Sequence, residues 1–537
     1  MSDQAPAESA AKTPSTWDAL RVPVFRTLWL TWFASNLSMW MNDVAAAWLM
    51  TTLTTSPVLV ALVQSASTLP VFLLGLPSGA LADILNRRHL LIATQFWVAT
   101  TAIVLCLVLF ADVITAPLLL VLTFANGIGL AMRWPVYSAI VPQLVAREDL
   151  QSAIALNGVA MNSSRVIGPV VAGVVIAAFG SQYVFLLNAI LSLTAGVVIL
   201  RWRSEQKVSV LPGERFIGAM RVGFQYAAQS NSIRAVLLRV AVFFLQSTAL
   251  LALLPLVAKH MPTGGAWAYT TLLASLGLGA VLAALWLPRL RVLITRDRLL
   301  RDGSIVQAIA MVFVGFAPTP WAAVPAMMIA GAAWISVVNT LTVSSQLALP
   351  DWVRARGMAI YMMTMMGAAS LSAALWGQVA VHLEVQWTFV AAALTGVVVL
   401  FLTRRFVLTR EEDVDLTPAR ILTEPVAAFP IEHGKGPVMV TIEYQVDPAR
   451  ANEFMQVMFE TRRDRLRKGA LSWGLFHDIS EPNRYLEYYL DESWADHLRR
   501  FERFTAADAE LRERRQAFHV GNEPPRVARY VAEAMKR

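Results

Sequence analysis

The sequence predicts an all-α membrane protein, twelve transmembrane helices in two six-helix bundles, followed by a small cytoplasmic α+β domain. Three observations predict it. The 537 residues are 56% hydrophobic and only 15% charged, against roughly 25% charged in soluble domains, and mean hydropathy is +0.53. Charge is unevenly spread: the first 409 residues hold 25 basic and 14 acidic side chains, the last 128 hold 20 and 23. The third observation is a series of about twelve apolar runs, each near the roughly 20 residues that a spanning helix needs.

In chain order the runs are Arg26 to Thr51, Pro57 to Ala82, Leu90 to Ala111, Ala116 to Ser138, Ser152 to Ala178, Tyr183 to Leu200, Ile233 to Ala258, Trp267 to Leu287, Leu299 to Phe316, Trp321 to Leu347, Met358 to Val381 and Val385 to Val407. The loops between them alternate in charge. One set carries Arg87 and Arg88, Arg147, the group Arg201, Arg203, Lys207, Arg215 and Arg221, then Arg289, Arg291, Arg296 and Arg298, Arg354 and Arg356, and Arg404 and Arg405. The other set is almost free of basic residues, with Lys259 the main exception. Basic loops stay on the cytoplasmic side, so both termini are expected in the cytoplasm of a multi-pass protein of the cell (inner) membrane. The first 20 residues lack the basic and apolar regions of a signal peptide. The pI near 9.8 therefore reflects topology and excludes no membrane role; nucleic acid is not an expected partner. Disordered, collagen-like and disulfide-stapled classes are excluded by 28 Gly, 26 Pro and one Cys.

These runs divide the chain into a disordered N-terminus (1–22), a first bundle (23–201), an inter-bundle loop (202–232), a second bundle (233–408), a Pro-broken linker (409–436) and a soluble domain (437–537). Within the loop, Gly213 to Gln229 reads as an interfacial helix with Phe216, Met220, Phe224 and Ala227 on one face. In the last domain, Val438 to Val446 alternates as a half-buried strand. A helix follows over Pro448 to Lys468, with Phe454, Val457, Met458 and Thr461 on one side. Leu471 to Ile479 and Arg484 to Asp491 read as two strands. Ser493 to Phe518 reads as one long helix capped by Ser493, and Arg526 to Val531 as a last strand. The order β-α-β-β-α-β is that of a ferredoxin-like fold, similar to small antibiotic-biosynthesis-monooxygenase domains. Such a domain is a candidate for dimerisation or regulation. Trp473, His477, Trp494 and His497 are its only catalytic candidates, and His497 is expected on the surface.

Two motifs sit at span ends. Between the second and third runs, Gly79-Ala80-Leu81-Ala82-Asp83-Ile84-Leu85-Asn86-Arg87-Arg88 places a carboxylate at one helix end and two arginines at the next helix start. Asn86 occupies a place where glycine would serve, on the reading that Asn tolerates a left-handed turn. The fifth run holds Ser164-Arg165-Val166-Ile167-Gly168-Pro169-Val170-Val171-Ala172-Gly173, where Gly168 and Gly173 permit close packing and Pro169 bends the helix.

The first motif resembles the loop signature of the major facilitator superfamily, and the second is similar to the Gly-Pro motif of its antiporting members. The runs Val141 to Leu150 and Leu349 to Gly357 narrow the resemblance to the branch of enterobactin-exporter-like, secretion-effector-like transporters. The resemblance implies alternating access by two rocking bundles. It implies a gate formed by Gly79, Asp83, Arg87 and Arg88, with Asp83 against the segment at Gly357 and Met358.

Ionisable groups deep in the bilayer are costly and are functional candidates. Asn36, Trp40, Asp43 and Ala47 share one face of the first run. Asp43 is the natural protonatable coupling group, with Arg165 as its candidate countercharge. Asn126 and Arg133 share a face of the fourth run, and Arg133 is a candidate partner of Asp83. Asn162 and Arg165 share a face of the fifth. The second bundle offers Gln246, Asn339, Gln346, Tyr361 and Met362, the last in a Met-rich stretch suited to varied apolar ligands. Trp40, Trp97, Trp134, Trp334 and Trp376 are candidates to line a cavity or belt the interfaces. No metal-ligand cluster, phosphate loop or nucleophile motif is visible, so no cofactor is expected. The sequence thus favours a non-enzymatic exporter of siderophore- or drug-like molecules by proton antiport. The alternatives are an uptake symporter or a membrane-tethered, cofactor-free monooxygenase.

Overall fold

The computed structural model describes residues 17–146, 149–202, 216–262, 264–406 and 427–533, and four positions (415, 417, 419 and 425) between the last two stretches. Arg147, Arg203, Lys207, Arg215, most of the expected linker and the first 16 residues lie outside the described residues.

Six long helices come first: α1 (Pro23–Leu53), α2 (Pro57–Ile84), α3 (Arg87–Phe110), α4 (Ala116–Leu144), α5 (Leu150–Phe179) and α6 (Ser181–Arg201). A short helix, α7 (Phe216–Gln229), precedes six more: α8 (Asn231–His260), α9 (Ala266–Leu293), α10 (Arg296–Phe316), α11 (Pro320–Leu347), α12 (Asp351–His382) and α13 (Val385–Leu402). Among the described residues, eleven helices are long and apolar enough to cross a membrane. The twelfth long helix, α1, has the length at 31 residues, and its polar face dilutes the apolar run.

Local chemistry sets the helix starts. Proline stands at the first turn of α1 and α2, where its missing N–H costs nothing. Asn86 begins α3 as an N-cap: its side chain accepts from the backbone N–H groups of Arg88 and His89. Its φ of −62° corrects the expected left-handed turn; Asn is here for its carbonyl oxygen. Arg88 then reaches the last carbonyls of α6, at Ile199 and Leu200, where a cation suits the negative helix end.

The described residues form two compact units. The first comprises Met1–Lys207, Val242–Val337 and Met365–Leu400; the second comprises Val208–Ala241, Val338–Thr364 and Phe401–Arg537. In the first unit one apolar core joins the C-terminal parts of α1, α3, α5, α10 and α12 to the N-terminal parts of α2, α4, α6, α9, α11 and α13, around the second half of α8. These are the helix ends remote from the chain termini. Both halves of the chain enter this core, so that face of the helical body is sealed.

The second unit holds the C-terminal domain. Its strands are β1 (Val438–Gln445), β2 (Ser472–His477), β3 (Arg484–Asp491) and β4 (Arg526–Val531), in the order β2-β3-β1-β4 with antiparallel pairing throughout. Helices α14 (Ala451–Arg467), α15 (Trp494–Glu502) and α16 (Ala506–Gln516) complete a ferredoxin-like β-α-β-β-α-β chain. Phe454, Val457, Met458 and Thr461 are buried as expected. The single helix expected over Ser493 to Phe518 is instead two. Ser493 caps α15, and Thr505 starts a new helix by a reciprocal capping box with Asp508, a stop-and-start signal that overrides helical propensity.

Candidate functional site

In α1 the polar residues divide by environment. Ser35, Ser38 and Asn42 are buried and build a polar seam inside the first six helices. Gln95 donates to Ser35 Oγ at 3.0 Å, Ser38 bonds Asn188, and Asn188 donates to Asn42 Oδ1 at 3.0 Å. Sequence reading missed this seam, although the 3- and 4-residue spacing of the α1 members puts them on one face. Asn36 is buried too and donates to the Trp32 carbonyl of its own helix.

Asp43 accepts a 3.0 Å hydrogen bond from Ser67 Oγ of α2. It forms no ion pair with Arg165, contrary to the expected countercharge. Arg165 lies instead against two indoles, with its guanidinium carbon 3.7 Å from the Trp334 ring centre and 5.5 Å from that of Trp40. Trp334 belongs to α11 and Trp40 to α1, so this cation joins both halves of the chain. Gly168 makes room for Trp40: a Cβ there would lie 2.5 Å from Trp40 Cβ. Phe244 of α8 meets Trp334 edge-on at 6.0 Å. Buried Trp40 Nε1 and Asn126 Oδ1 lack hydrogen-bond partners, and such groups are rare without a functional reason.

Arg133 is buried, lies over the Trp32 ring at 5.4 Å and donates to the Ser35 carbonyl at 3.2 Å. Asp83 falls in the last turn of α2, and its side chain is outside the described set. Gly173 packs against Thr270 of α9, and Pro169 lies inside α5. Near the same sealed face, Lys259 donates to the Thr51 carbonyl in the last turn of α1. That contact accounts for the one basic residue that broke the loop pattern. Asn162 is exposed and donates to Gly158 of its own helix. Gln246 is buried, donates to the Ser304 carbonyl at 3.3 Å and packs on Gly396.

In the second unit Tyr361 is buried and shares a 2.9 Å hydrogen bond with Thr342. Asn339 and Met362 are half-buried and Gln346 is exposed. Helix α7 buries Val222, Tyr226 and Ala227 while Phe224 stays exposed. The packed face holds the C-terminal domain. Arg221 pairs with Glu492 at 2.6 Å, Gln225 donates to the Ala470 carbonyl at 3.2 Å, and Val222 abuts Gly469. Trp352, at the start of α12, meets the Tyr226 ring edge-on at 5.7 Å and carries Arg503 over its face at 4.9 Å.

The C-terminal domain has a charged interior. Arg465 pairs with buried Glu487 at 2.9 Å, and Tyr444 and Trp473 donate to the same carboxylate. Burial alone raises the Glu487 pKa, but Arg465 and Arg515 overcome it and hold the group at about 2. Burial likewise pushes the Asp491 carboxyl up, but Arg500 and the His497 hydrogen bond outweigh it and hold the group well below the usual carboxylate range. His497, expected on the surface, is fully buried: Nδ1 faces Asp491 Oδ2 at 2.9 Å, and Nε2 accepts from Arg529 at 3.2 Å. Both ring nitrogens are thereby occupied in holding the fold. His477 bonds the Pro482 carbonyl and stacks on Tyr485.

A family model described as transmembrane secretion effector matches residues 14–537. The chain is 25% identical to the staphyloferrin A transporter of Staphylococcus aureus over 53% of this chain and 72% of that protein. It is 22% identical to macrolide efflux protein A of Streptococcus pyogenes over 45% and 60%. Among solved structures, a POT family transporter in complex with a thioalcohol-conjugated peptide superposes with a TM-score of 0.59 at 12% identity, over 71% of this chain and 95% of that one. A bacterial homologue of the human lysosomal transporter Spinster, inward-facing and occupied, gives 0.55 at 14% identity over 73% and 98%.

Proposed function

Because the chain belongs to the transmembrane secretion effector family of major facilitator transporters, we propose that it is a secondary transporter exporting small organic molecules by proton antiport. The relatives named for a siderophore and for macrolide efflux support export over uptake, and the family and its relatives are transporters rather than enzymes. The observation that carries the reading is the Arg165 contact. A half-buried cation in mid-helix, in contact with one indole from each half, lies where a site shared by two rocking bundles belongs. The sealed helix ends remote from the termini fit a transporter closed on that side. Alternating basic loops support cytoplasmic termini in an inner-membrane protein. Asp43 is the proposed proton-coupling group and Ser67 its hydrogen-bond partner. The C-terminal domain is proposed as a site of dimerisation.

Everted membrane vesicles carrying the full chain test this reading. An imposed proton gradient is expected to drive ethidium accumulation in the wild type. Asp43→Asn is expected to lose gradient-driven accumulation while retaining ethidium exchange. Accumulation that is unaffected by the gradient or by Asp43→Asn would remove the proton assignment.

A further inference from the structure

Arg165 is half-buried and differs in its partners from four other interior arginines. Arg133 donates to a carbonyl, Arg239 to Thr403 and the Phe406 carbonyl, and Arg465 and Arg500 hold carboxylates. Among the described residues, Arg165 has neither a hydrogen bond nor an ion pair; its recorded partners are the faces of Trp334 and Trp40. Ring faces stabilise a cation but accept none of its five in-plane N–H donors. Asp43, the one acidic residue well inside the first six helices, is engaged by Ser67. Among the described residues no protein group answers the in-plane donors of Arg165, which leaves them to solvent or to a ligand. Trp40 adds a second unanswered donor, its buried Nε1.

We infer that Arg165 is the anion-recognition group of the transport site, and that the cargo it serves is an organic anion bearing a carboxylate or similarly planar oxyanion. The two indoles hold the guanidinium plane and leave its edge for a fork of two parallel N–H···O bonds, the geometry that suits carboxylates. The inference rests on the export reading and narrows it. The two rings stand on opposite halves of the chain, so the cargo is seated at a contact to which both halves contribute.

The test uses the full chain in lipid nanodiscs, with carboxyfluorescein as anionic probe and ethidium as cationic probe, read by fluorescence anisotropy. Carboxyfluorescein is expected to bind the wild type. Arg165→Gln is expected to weaken that binding by about tenfold or more, the usual scale for a lost charged hydrogen bond, and to weaken it more than it weakens ethidium binding. Arg165→Lys keeps the charge without the fork and is expected to fall between; it also reports on folding should the Gln variant not be recovered. Wild-type binding of carboxyfluorescein that Arg165→Gln and Arg165→Lys leave intact, or no binding of it at all, overturns the inference. Everted vesicles separate the two readings. Ethidium transport indifferent to Arg165→Gln, without carboxyfluorescein transport, preserves export and defeats the anion site. Arg165-dependent carboxyfluorescein binding in vesicles that move neither probe preserves the site and defeats export.

Discussion

Gly173→Ala introduces one methyl group at the crossing of α5 and α9. The added Cβ would lie 2.3 Å from Thr270 Oγ1, 2.5 Å from Thr270 Cβ and 2.6 Å from Thr270 Cγ2, where ordinary contact begins at 3.4 Å. Rotating Thr270 cannot relieve the Cβ contact, so the helices must part by about 1 Å in a close-packed region. Overpacking of this kind costs roughly 1–3 kcal/mol. The crossing joins the two halves at the sealed face, so the penalty falls on the sealed arrangement and not on one in which the halves have separated. The equilibrium should move toward opening by about 5- to 150-fold. The assay is maleimide labelling of Ile176→Cys, buried in the sealing core, in a Cys106→Ser background. Gly173→Ala should raise the labelling rate by that factor. Adding Thr270→Gly should restore it, because the Thr270 hydroxyl serves only carbonyls of its own helix. Equal labelling with and without Gly173→Ala would refute the claim that this crossing closes the face.

Three further outcomes are expected of the full chain in nanodiscs, read by hydrogen exchange. Glu487→Gln strands Arg465 in the C-terminal domain and should cost about 3–5 kcal/mol, seen as faster exchange in β1 and β3 with α1 to α6 unchanged. Acid should act on the same group: its folded pKa of about 2 lies below the ordinary 4.5, so its stabilisation, about 3 kcal/mol at most, is complete above 4.5 and lost as pH falls toward 2. Glu487→Gln should remove most of that acid sensitivity. Arg221→Ala alone should change little, since a half-exposed pair is worth about 0.2–1 kcal/mol. Combined with Trp352→Ala, which also removes the Arg503 and Tyr226 ring contacts, it should speed exchange in α7 while β1 to β4 remain protected. Slow exchange in α7 of the double variant would mean that these residues do not secure the docking.

Helix positions were readable because a bilayer imposes length and apolarity directly on sequence. The strands of the last domain were readable through period-two alternation, down to Arg526–Val531. What sequence concealed was partner choice. His497 and the docking face of α7 show it. A histidine in a charged helix reads as solvated, yet Asp491 and Arg529 compensate its burial. The face of α7 that meets the C-terminal domain formed around Val222 and Gln225, positions that the apolar pattern of that helix did not single out. The Asp43–Arg165 pairing failed for a related reason. Opposite charge suggested a pair, while the aromatic rings that claim Arg165 come from residues more than a hundred positions apart on either side.

Three contacts between the halves of the first unit differ in what could undo them. Gly173 against Thr270 is steric, and an aqueous solute has nothing to offer it. Lys259 on the Thr51 carbonyl joins an ammonium to one of the orphan acceptors at a helix end, a bond whose replacement is water on both sides. Arg165 against Trp40 and Trp334 is different in kind, because a cation held by ring faces keeps its strongest bonding directions unused. An anion gains those directions at once, at the edge that the rings leave free. Of the three, this is the contact through which cargo chemistry reaches the closure of the protein, since a ligand shifts an equilibrium only by its differential affinity for the two states.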